Sequence, residues 1–387
     1  MTVKMPLGVQ EEKAPSVPVN LEQVRFPHYG RYLDDLEPGR VFRHPRGFTI
    51  DHGWARSFAT SFMETNPLYF NAEYARSFGF SDIVVSPQLV FNLILSMGVQ
   101  NDSEKAIANL GYYQAQFLQP VYPGDTLTAM THVVSRRERG EGKPGIAHIQ
   151  TLGINQRHEV VMQYERKILV GPRGDAPAAA PPPDSPEFPW VENASFSIPL
   201  NQGPYPSGLT GGHTLASSFQ PGDIIVHANG RTVSDEHVWW SYGVGNTHPL
   251  HNDRIYSNSR SGAMSGEPIV YGGLVFAWLH GLTSRDVSEN ALWEVGFSEG
   301  YHTQPTVAGD TLAAISRVLS VEPGPEGIDG SIVTFQLIGV KNISAAQALE
   351  TYGAELFEKE LPKRKLGKEK ISAKVFEVER RVLLRNA

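Results

Sequence analysis

The chain has 387 residues, 40% of them hydrophobic, which is enough for one large domain or two ordinary domains with a sizeable core. Its net charge of −7 argues against nucleic-acid binding, which needs a surplus of basic residues. The absence of cysteine excludes disulfides, thiolate nucleophiles and cysteine-bound metals.

The first segment, residues 1–25, is predicted to be a flexible arm. It contains no apolar run of the kind found in signal peptides. No window of the whole chain approaches the roughly 18 consecutive apolar residues of a membrane span. The sequence therefore predicts a cytoplasmic protein with no membrane partner.

Two halves of the chain repeat each other. Four blocks recur in the same order at an offset of 182 to 185 residues. The paired blocks start at Leu36 and Phe219, at Thr65 and Thr247, at Val84 and Ile269, and at Gln119 and Gln304. Only two copies are present, so this pattern indicates a duplicated domain and not a longer repeat array.

The duplication gives the predicted domain boundaries. A first repeat covers residues 26–170 and a second covers 191–387. The segment between them, 171–190, contains the run DAPAAAPPPDSPEFP, and proline at this density favours an extended linker.

Each repeat shows the same order of predicted elements. A short helix (54–63 or 236–244) precedes a proline-containing loop, and an apolar helix opened by proline or glycine (87–97 or 273–282) follows. The remaining segments alternate as strands, namely 126–135, 147–155, 160–170, 311–321 and 331–340. One apolar helix followed by several long strands predicts an α+β fold in which an antiparallel sheet wraps around the helix.

The proline-containing loop of the second repeat concentrates reactive groups. It reads Asn-Thr-His-Pro-Leu-His from residue 246, whereas the first repeat has Glu-Thr-Asn-Pro-Leu-Tyr from residue 64. A histidine titrates near neutral pH, so His251 is a candidate general base. The N–H groups of Gly272 and Gly273, at the start of the apolar helix, are candidate donors to an oxyanion.

This loop, about twenty residues before Val-Tyr-Gly-Gly-Leu, resembles the hydratase motif of the MaoC-like dehydratases, which include the (R)-specific enoyl-CoA hydratases. The two-copy length is most similar to the mesaconyl-CoA hydratase (β-methylmalyl-CoA dehydratase) branch. The resemblance implies a double hot-dog fold and a hydro-lyase that adds water to a 2-enoyl-CoA, with mesaconyl-CoA as the expected substrate. It implies no cofactor beyond the coenzyme A that is part of the substrate.

The chain departs from the family motif in both repeats. Asn246 and His248 stand where the family has Asp and Asn, while Glu64 and Tyr69 stand at the Asp and His positions of the first repeat. We expect the second repeat to be catalytic. His251 would move the proton and Asn246 would orient the water through its amide oxygen. The first repeat would shape the substrate tunnel, with its two altered residues either closing the repeat or lining the acyl-CoA channel.

Supporting groups are less well defined by the sequence. Asp253 is a candidate to orient the His251 imidazole, and Arg254 and Arg260 are candidates to bind a distal carboxylate, as are Arg56 and Arg76. Cations for the CoA phosphates are expected in two clusters, Arg136, Arg137, Arg139 and Lys143, or Lys363, Arg364 and Lys365. No metal-ligand spacing is present.

Two alternative functions remain open at this stage. One is a general 3-hydroxyacyl-CoA dehydratase, and the other is a non-catalytic acyl-CoA binding protein, suggested by the lost aspartate. The sequence also leaves homo-oligomer formation open.

Overall fold

The computed structural model describes residues 17–178, 186–201, 206–211, 214–262, 265–365, 367 and 369–386. The predicted arm at 1–25 lies mostly outside these ranges, and its described part, 17–25, is exposed and contains one turn of 3-10 helix. Part of the predicted linker, 179–185, also lies outside them.

An antiparallel sheet of eleven strands is the largest element of the fold. Its strands are β1 (Val41–Arg43), β2 (Phe48–Thr49), β3 (Ala106–Phe117), β4 (Thr126–Arg137), β5 (Gly145–Ile154), β6 (Val160–Val170), β7 (Ile224–Thr232), β8 (Ala291–His302), β9 (Thr311–Pro323), β10 (Gly330–Lys341) and β11 (Lys374–Arg385). Their order across the sheet is β1-β4-β5-β6-β3-β8-β11-β10-β9-β7, with β2 paired to β4.

Eight α-helices accompany the sheet in the described part of the chain. They are α1 (His52–Ser61), α2 (Ala72–Ser77), α3 (Pro87–Gly98), α4 (Glu236–Gly243), α5 (Arg254–Asn258), α6 (Gly272–Val287), α7 (Ala345–Tyr352) and α8 (Glu360–Lys365). Every residue of α3 and most of α6 are buried, so these two form the centre of the core. Among the described residues, no helix combines the length and the apolar character needed to cross a membrane. The predicted α+β class is confirmed.

The two repeats are joined through strands β3 and β8. Tyr112 pairs with Gly300, and Ala115 pairs with Phe297. Residues 297 and 300 lie 185 positions after 112 and 115, so each strand presents equivalent residues to the other. The pairing therefore has the symmetry of a twofold dimer interface within one chain.

Each repeat uses one strand glycine to bring its central helix against the sheet. A Cβ on Gly153 of β5 would lie 2.0 Å from Ile94 of α3, and a Cβ on Gly339 of β10 would lie 2.2 Å from Leu279 of α6. Glycine in a strand interior marks such close approaches. The two contacts occupy equivalent positions, which supports the duplication inferred from the sequence.

Segment 186–201 runs along the first repeat: Ser197 N–H donates to the Leu118 carbonyl, and Asn201 N–H donates to that of Phe78. Helices α7 and α8 separate β10 from β11, and the strands predicted from the sequence do not include β11, β3 or β8. Strand β11 lies between β8 and β10, in the interior of the sheet.

The packing of α6 on the end of α1 gives a first prediction. A Cβ on Gly281 would lie 1.7 Å from the Phe62 carbonyl oxygen, and backbone cannot yield as a side chain can. We expect Gly281→Ala to lower the free energy of unfolding by about 1–3 kcal/mol, despite the better helix propensity of alanine. Thermal denaturation measures the change. Gly171→Ala, where a Cβ meets nothing within 4 Å, is the matched control, and equal melting temperatures for the two variants would contradict this packing.

Candidate active site

A cavity of about 370 Å³ opens between the two repeats. The first repeat contributes the end of α3, the start of β3, and β6. The second contributes the 246–251 loop, the start of α6 and segment 302–306. The lining includes Leu95, Val99, Ser103, Asn109, Tyr112, Arg166, Asn246, His248, His251, Ile269, Tyr271, Gly272, His302 and Lys370. A ligand in this cavity would therefore contact both repeats.

The 246–251 loop is held by hydrogen bonds to its own backbone. The Asn246 side chain, 1% exposed, accepts the His248 N–H through Oδ1 at 2.9 Å. His248 Nδ1 accepts the Leu250 N–H at 3.2 Å and caps a 3-10 turn formed by Pro249–His251. Asn66 caps the equivalent turn of the first repeat through its own Oδ1, so His248 holds its loop in the same way as the asparagine at the equivalent position.

His251 is fixed in one tautomer. Its Nδ1 lies 3.0 Å from the Ile269 carbonyl oxygen, which can only accept, so Nδ1 carries the proton and Nε2 keeps its lone pair. Burial, with a smaller effect of the neighbouring His248, lowers the pKa of His251 to about 3. The imidazole is therefore a neutral hydrogen-bond acceptor on a cavity wall at physiological pH.

The start of α6 faces the same cavity. A Cβ on Gly272 would lie 2.6 Å from His302 Nε2, so only glycine fits between the helix and this ring. Among the described residues, no side chain caps the helix at Tyr271. In the first repeat, Ser86 caps α3 by accepting the Gln88 N–H, and Pro87 has no N–H to donate. The helix start suited to hold an anion thus belongs to the second repeat.

Gly273 has a different environment from Gly272. A Cβ there would lie 2.1 Å from Asn92 Oδ1 of α3, and Asn92 Nδ2 donates to the Gly273 carbonyl at 3.1 Å. Gly272 lines the cavity, whereas Gly273 lies behind it at the contact between the central helices. The structure therefore explains Gly273 first by helix packing, and an oxyanion role for its N–H stays a prediction.

The orientation of Asn246 differs from that expected. Its amide oxygen is occupied by the His248 N–H, which leaves the Nδ2 group to contact a ligand. Asn246 would then donate a hydrogen bond to a bound water and would not accept one through its oxygen.

Three other candidates from the sequence lie outside the cavity lining. Asp253 caps α5 by accepting hydrogen bonds from the N–H groups of Ile255 and Tyr256. Asp253 was expected to orient the His251 imidazole, but the Ile269 carbonyl contacts this ring instead. Arg254 forms an exposed ion pair with Glu267. Arg260 stacks on Tyr256 at 4.0 Å from the ring centroid. None of the three is placed to act on a substrate within this cavity.

The motif loop of the first repeat faces a cluster of buried charges at the place that corresponds to the cavity. We call this cluster the closed half-site and the cavity the open half-site. Glu64 Oε1 lies 2.7 Å from His280 Nδ1, and Arg380 forks onto Glu294 with contacts of 3.1 and 2.7 Å. Burial and Arg380 oppose protonation of His280, but Glu64 and Glu294 outweigh them and raise its pKa. Tyr69 is buried beside this cluster, where burial and Glu64 raise its pKa. Glu64 and Tyr69 are therefore buried in this cluster, and neither lines the cavity between the repeats.

Sequence reasoning missed several cavity residues. His302, Tyr112, Asn109 and Arg166 lie on strands that carried no recognised motif. His302 offered a signal, since the first repeat has Phe117 at the equivalent position. Burial lowers the pKa of His302 to about 4, and its Nε2 lies 3.4 Å from the Tyr112 hydroxyl.

Two of the seven basic residues expected to bind CoA phosphates are engaged elsewhere. Lys363 is 2% exposed and pairs with Glu355 and Glu360. Arg136 donates to the backbone carbonyls of Leu33 and Asp34. The side chains of Arg364 and Lys365 lie outside the described part of the structure. Lys370, not anticipated from the sequence, lines the cavity and donates to the Thr303 carbonyl.

Comparison with known proteins identifies the family. The model of the mesaconyl-CoA hydratase family matches residues 16–346. The chain is 31% identical over 303 residues to the mesaconyl-CoA hydratase of Cereibacter sphaeroides, covering 76% of this chain and 86% of that protein. It is 29% identical over 318 residues to the β-methylmalyl-CoA dehydratase of Chloroflexus aurantiacus, covering 81% and 89%.

Solved structures share the architecture. A MaoC domain protein from Chloroflexus aurantiacus superposes with a TM-score of 0.78 at 26% identity, covering 92% of this chain and 98% of the other. A Mycobacterium tuberculosis protein described as a double hotdog fold gives 0.70 at 20% identity, with the same coverage. The double hot-dog fold expected from the sequence is confirmed.

The environment of His251 predicts the pH dependence of any reaction it catalyses. Because burial lowers its pKa from 6.5 to about 3, the base form persists on acidification. We expect kcat/KM to stay flat between about pH 7 and pH 5, where an ordinary histidine would lose most of its base form. A pH–rate profile measures this. An acidic limb near 6.5 would contradict the buried neutral imidazole.

Asn246→Asp provides a matched control for that profile. The substitution places a carboxylate on the wall of the cavity that His251 also lines, and a nearby negative charge favours the imidazolium. The acidic limb of the variant should therefore shift to higher pH than that of the wild type. A profile unmoved by this new charge would mean that a group other than His251 sets the limb.

Proposed function

This chain belongs to the mesaconyl-CoA hydratase family, whose members are hydro-lyases, and we propose that it adds water reversibly to mesaconyl-CoA to give β-methylmalyl-CoA. The wider assignment, a hydratase of 2-enoyl-CoA thioesters, follows from the family. The branched C5 dicarboxylic acyl group is the specific proposal. Coenzyme A enters only as part of the substrate.

One observation carries the proposal. The free Nε2 of His251 and the open N-terminus of α6 at Gly272 line the same cavity. Hydration of an enoyl thioester needs a base for water and a donor for the thioester oxygen, and these two groups have those properties. The equivalent positions of the first repeat carry Tyr69 and Pro87, which provide neither.

The reaction follows from these positions. His251 Nε2 takes a proton from water while the oxygen attacks the β carbon of the double bond. The electron pair moves onto the thioester oxygen, where the Gly272 N–H and the helix dipole stabilise the enolate. His251 then returns its proton to the α carbon, so one water is consumed and no group leaves.

Asn246 would position the water. Its Oδ1 is fixed on the His248 N–H, so Nδ2 can donate to the water oxygen and leave both water hydrogens available to acceptors such as His251. An amide can do this without carrying a proton, so proton transfer would depend on His251 alone. Loss of the motif aspartate is thus compatible with catalysis.

The two alternatives differ from the proposal in measurable ways. A general 3-hydroxyacyl-CoA dehydratase would process enoyl thioesters that lack a distal carboxylate at least as well as mesaconyl-CoA. An acyl-CoA binding protein would bind the thioester without consuming the double bond. The base and helix N-terminus that line one cavity favour a catalyst over a binding protein.

His251→Ala tests the assignment of the base. We expect kcat/KM for mesaconyl-CoA to fall by about 10² to 10⁴, the usual contribution of a positioned acid–base group. Loss of absorbance of the conjugated enoyl thioester measures turnover, with crotonyl-CoA assayed in parallel.

His52→Ala is the control, because this histidine is exposed and pairs with Asp82 on the surface. It should leave both rates unchanged. Near-normal turnover by His251→Ala would eliminate His251 as the base. Wild-type binding of both thioesters without turnover would favour the binding protein.

A further inference from the structure

Each repeat carries one buried arginine, and the two arginines lie at equivalent positions of the sheet. Arg166 of β6 pairs with Tyr112 of β3, and Arg380 of β11 pairs with Phe297 of β8. Residues 112 and 297 are equivalent at the offset of 185. The two guanidinium groups therefore occupy matching places, Arg166 in the open half-site at the cavity and Arg380 in the closed half-site.

In the closed half-site, Arg380 is neutralised by a carboxylate of the protein itself. Glu294 accepts from Nε at 3.1 Å and from Nη2 at 2.7 Å, the fork geometry that arginine prefers for carboxylates. Nη1 donates to Thr283 Oγ1, and Nη2 also lies 2.7 Å from His280 Nε2. Burial raises the pKa of Glu294, but Arg380 and His280 overcome this and hold it below its ordinary value.

In the open half-site, that carboxylate is missing. The residue equivalent to Glu294 by the same strand register is Asn109, which pairs with Ile168 as Glu294 pairs with Val382. Asn109 Oδ1 instead accepts the Gly111 N–H at 3.3 Å. Leu95 stands at the position of His280. These substitutions leave space, and Leu95, Asn109 and Arg166 all line the cavity.

Arg166 is held in place but not fully bonded. Its Nη2 donates to Asp102 Oδ1 at 2.8 Å and to Ser103 Oγ at 3.2 Å. Its Nε is buried and has no hydrogen-bond partner among the described residues. The residue as a whole is only 4% exposed. A buried N–H of a cation without a partner is costly, so the site is suited to an anionic acceptor.

We propose that Arg166 binds the distal carboxylate of the acyl group, which takes the place that Glu294 occupies on Arg380. This inference rests on the proposed function and names the residue that selects a dicarboxylic substrate. Asp102 holds the other side of the guanidinium in position. Arg166, Asp102 and Lys370 together carry a charge of +1 around a cavity whose histidines are neutral, which complements an added carboxylate.

The experiment compares two substrates of the same shape. Mesaconyl-CoA carries the carboxylate, and 2-methylbut-2-enoyl-CoA carries a methyl group in its place. The variant Arg166→Gln/Asp102→Asn removes both buried charges together, which avoids leaving Asp102 unpaired. We expect its kcat/KM to fall on the order of 100-fold with mesaconyl-CoA, mainly through KM, and to change little with the methyl analogue.

Arg380→Gln/Glu294→Gln is the matched control in the closed half-site. It also removes a buried arginine–carboxylate pair, but it should leave the preference between the two substrates unchanged. A parallel loss on both substrates in the Arg166 variant, or an equal loss of preference in the control, would overturn the proposal. Wild-type turnover of the methyl analogue alone would instead overturn mesaconyl-CoA as the substrate.

Asn109→Glu provides a second test if the double variant does not fold. It supplies the open half-site with the carboxylate of the closed one, which should pair with Arg166 and exclude the substrate carboxylate. We expect this variant to lose mesaconyl-CoA hydration on the order of 100-fold relative to Asn109→Gln, which has the same size and no charge. Equal activity of the glutamate and glutamine variants would overturn the proposal.

Discussion

The pairing of β3 with β8 is the constraint on which the rest of the structure depends. It fuses two sheets into one and places each 3-10 motif turn against the wall of the opposite repeat. The second-repeat loop thus shares a cavity with β3, β6 and α3 of the first, while the first-repeat loop contacts α6 and β8 of the second. Neither repeat could form such a site alone, because every half-site needs both.

The two half-sites differ in the groups that surround one buried arginine. In one, the protein provides a glutamate and a histidine, and removing one partner of such a buried pair typically costs about 3–5 kcal/mol. In the other, a leucine and an asparagine leave room for a ligand. Duplication within one chain made this difference possible, because substitutions in one half no longer appear in the other. Stability and ligand binding could then be assigned to separate halves.

The chemistry of the open half depends more on burial than on any special residue. A backbone carbonyl sets the tautomer of His251, and burial keeps the ring neutral, so it is an available base without a carboxylate partner. Glycine at 272 lets His302 pack against the helix start, where backbone N–H groups are not blocked by a capping side chain. In the proposed mechanism, these features would allow catalysis with Asn246 in place of the family aspartate.

The sequence by itself determined the duplication, the α+β class and the motif loops, because these depend on local patterns that repeat at a fixed offset. It also predicted a common site for His251, Asn246 and Gly272, and the three residues line one cavity. Only the tertiary structure decided the partners and surroundings of Asp253, Glu64 and Arg166, because cavity walls and most buried partners come from residues distant in the chain. Asp253 and Arg254 follow the motif directly but are occupied by local partners. Arg166 lies 85 residues before His251 and reaches the same cavity because β6 and the motif loop belong to opposite repeats that fold against each other.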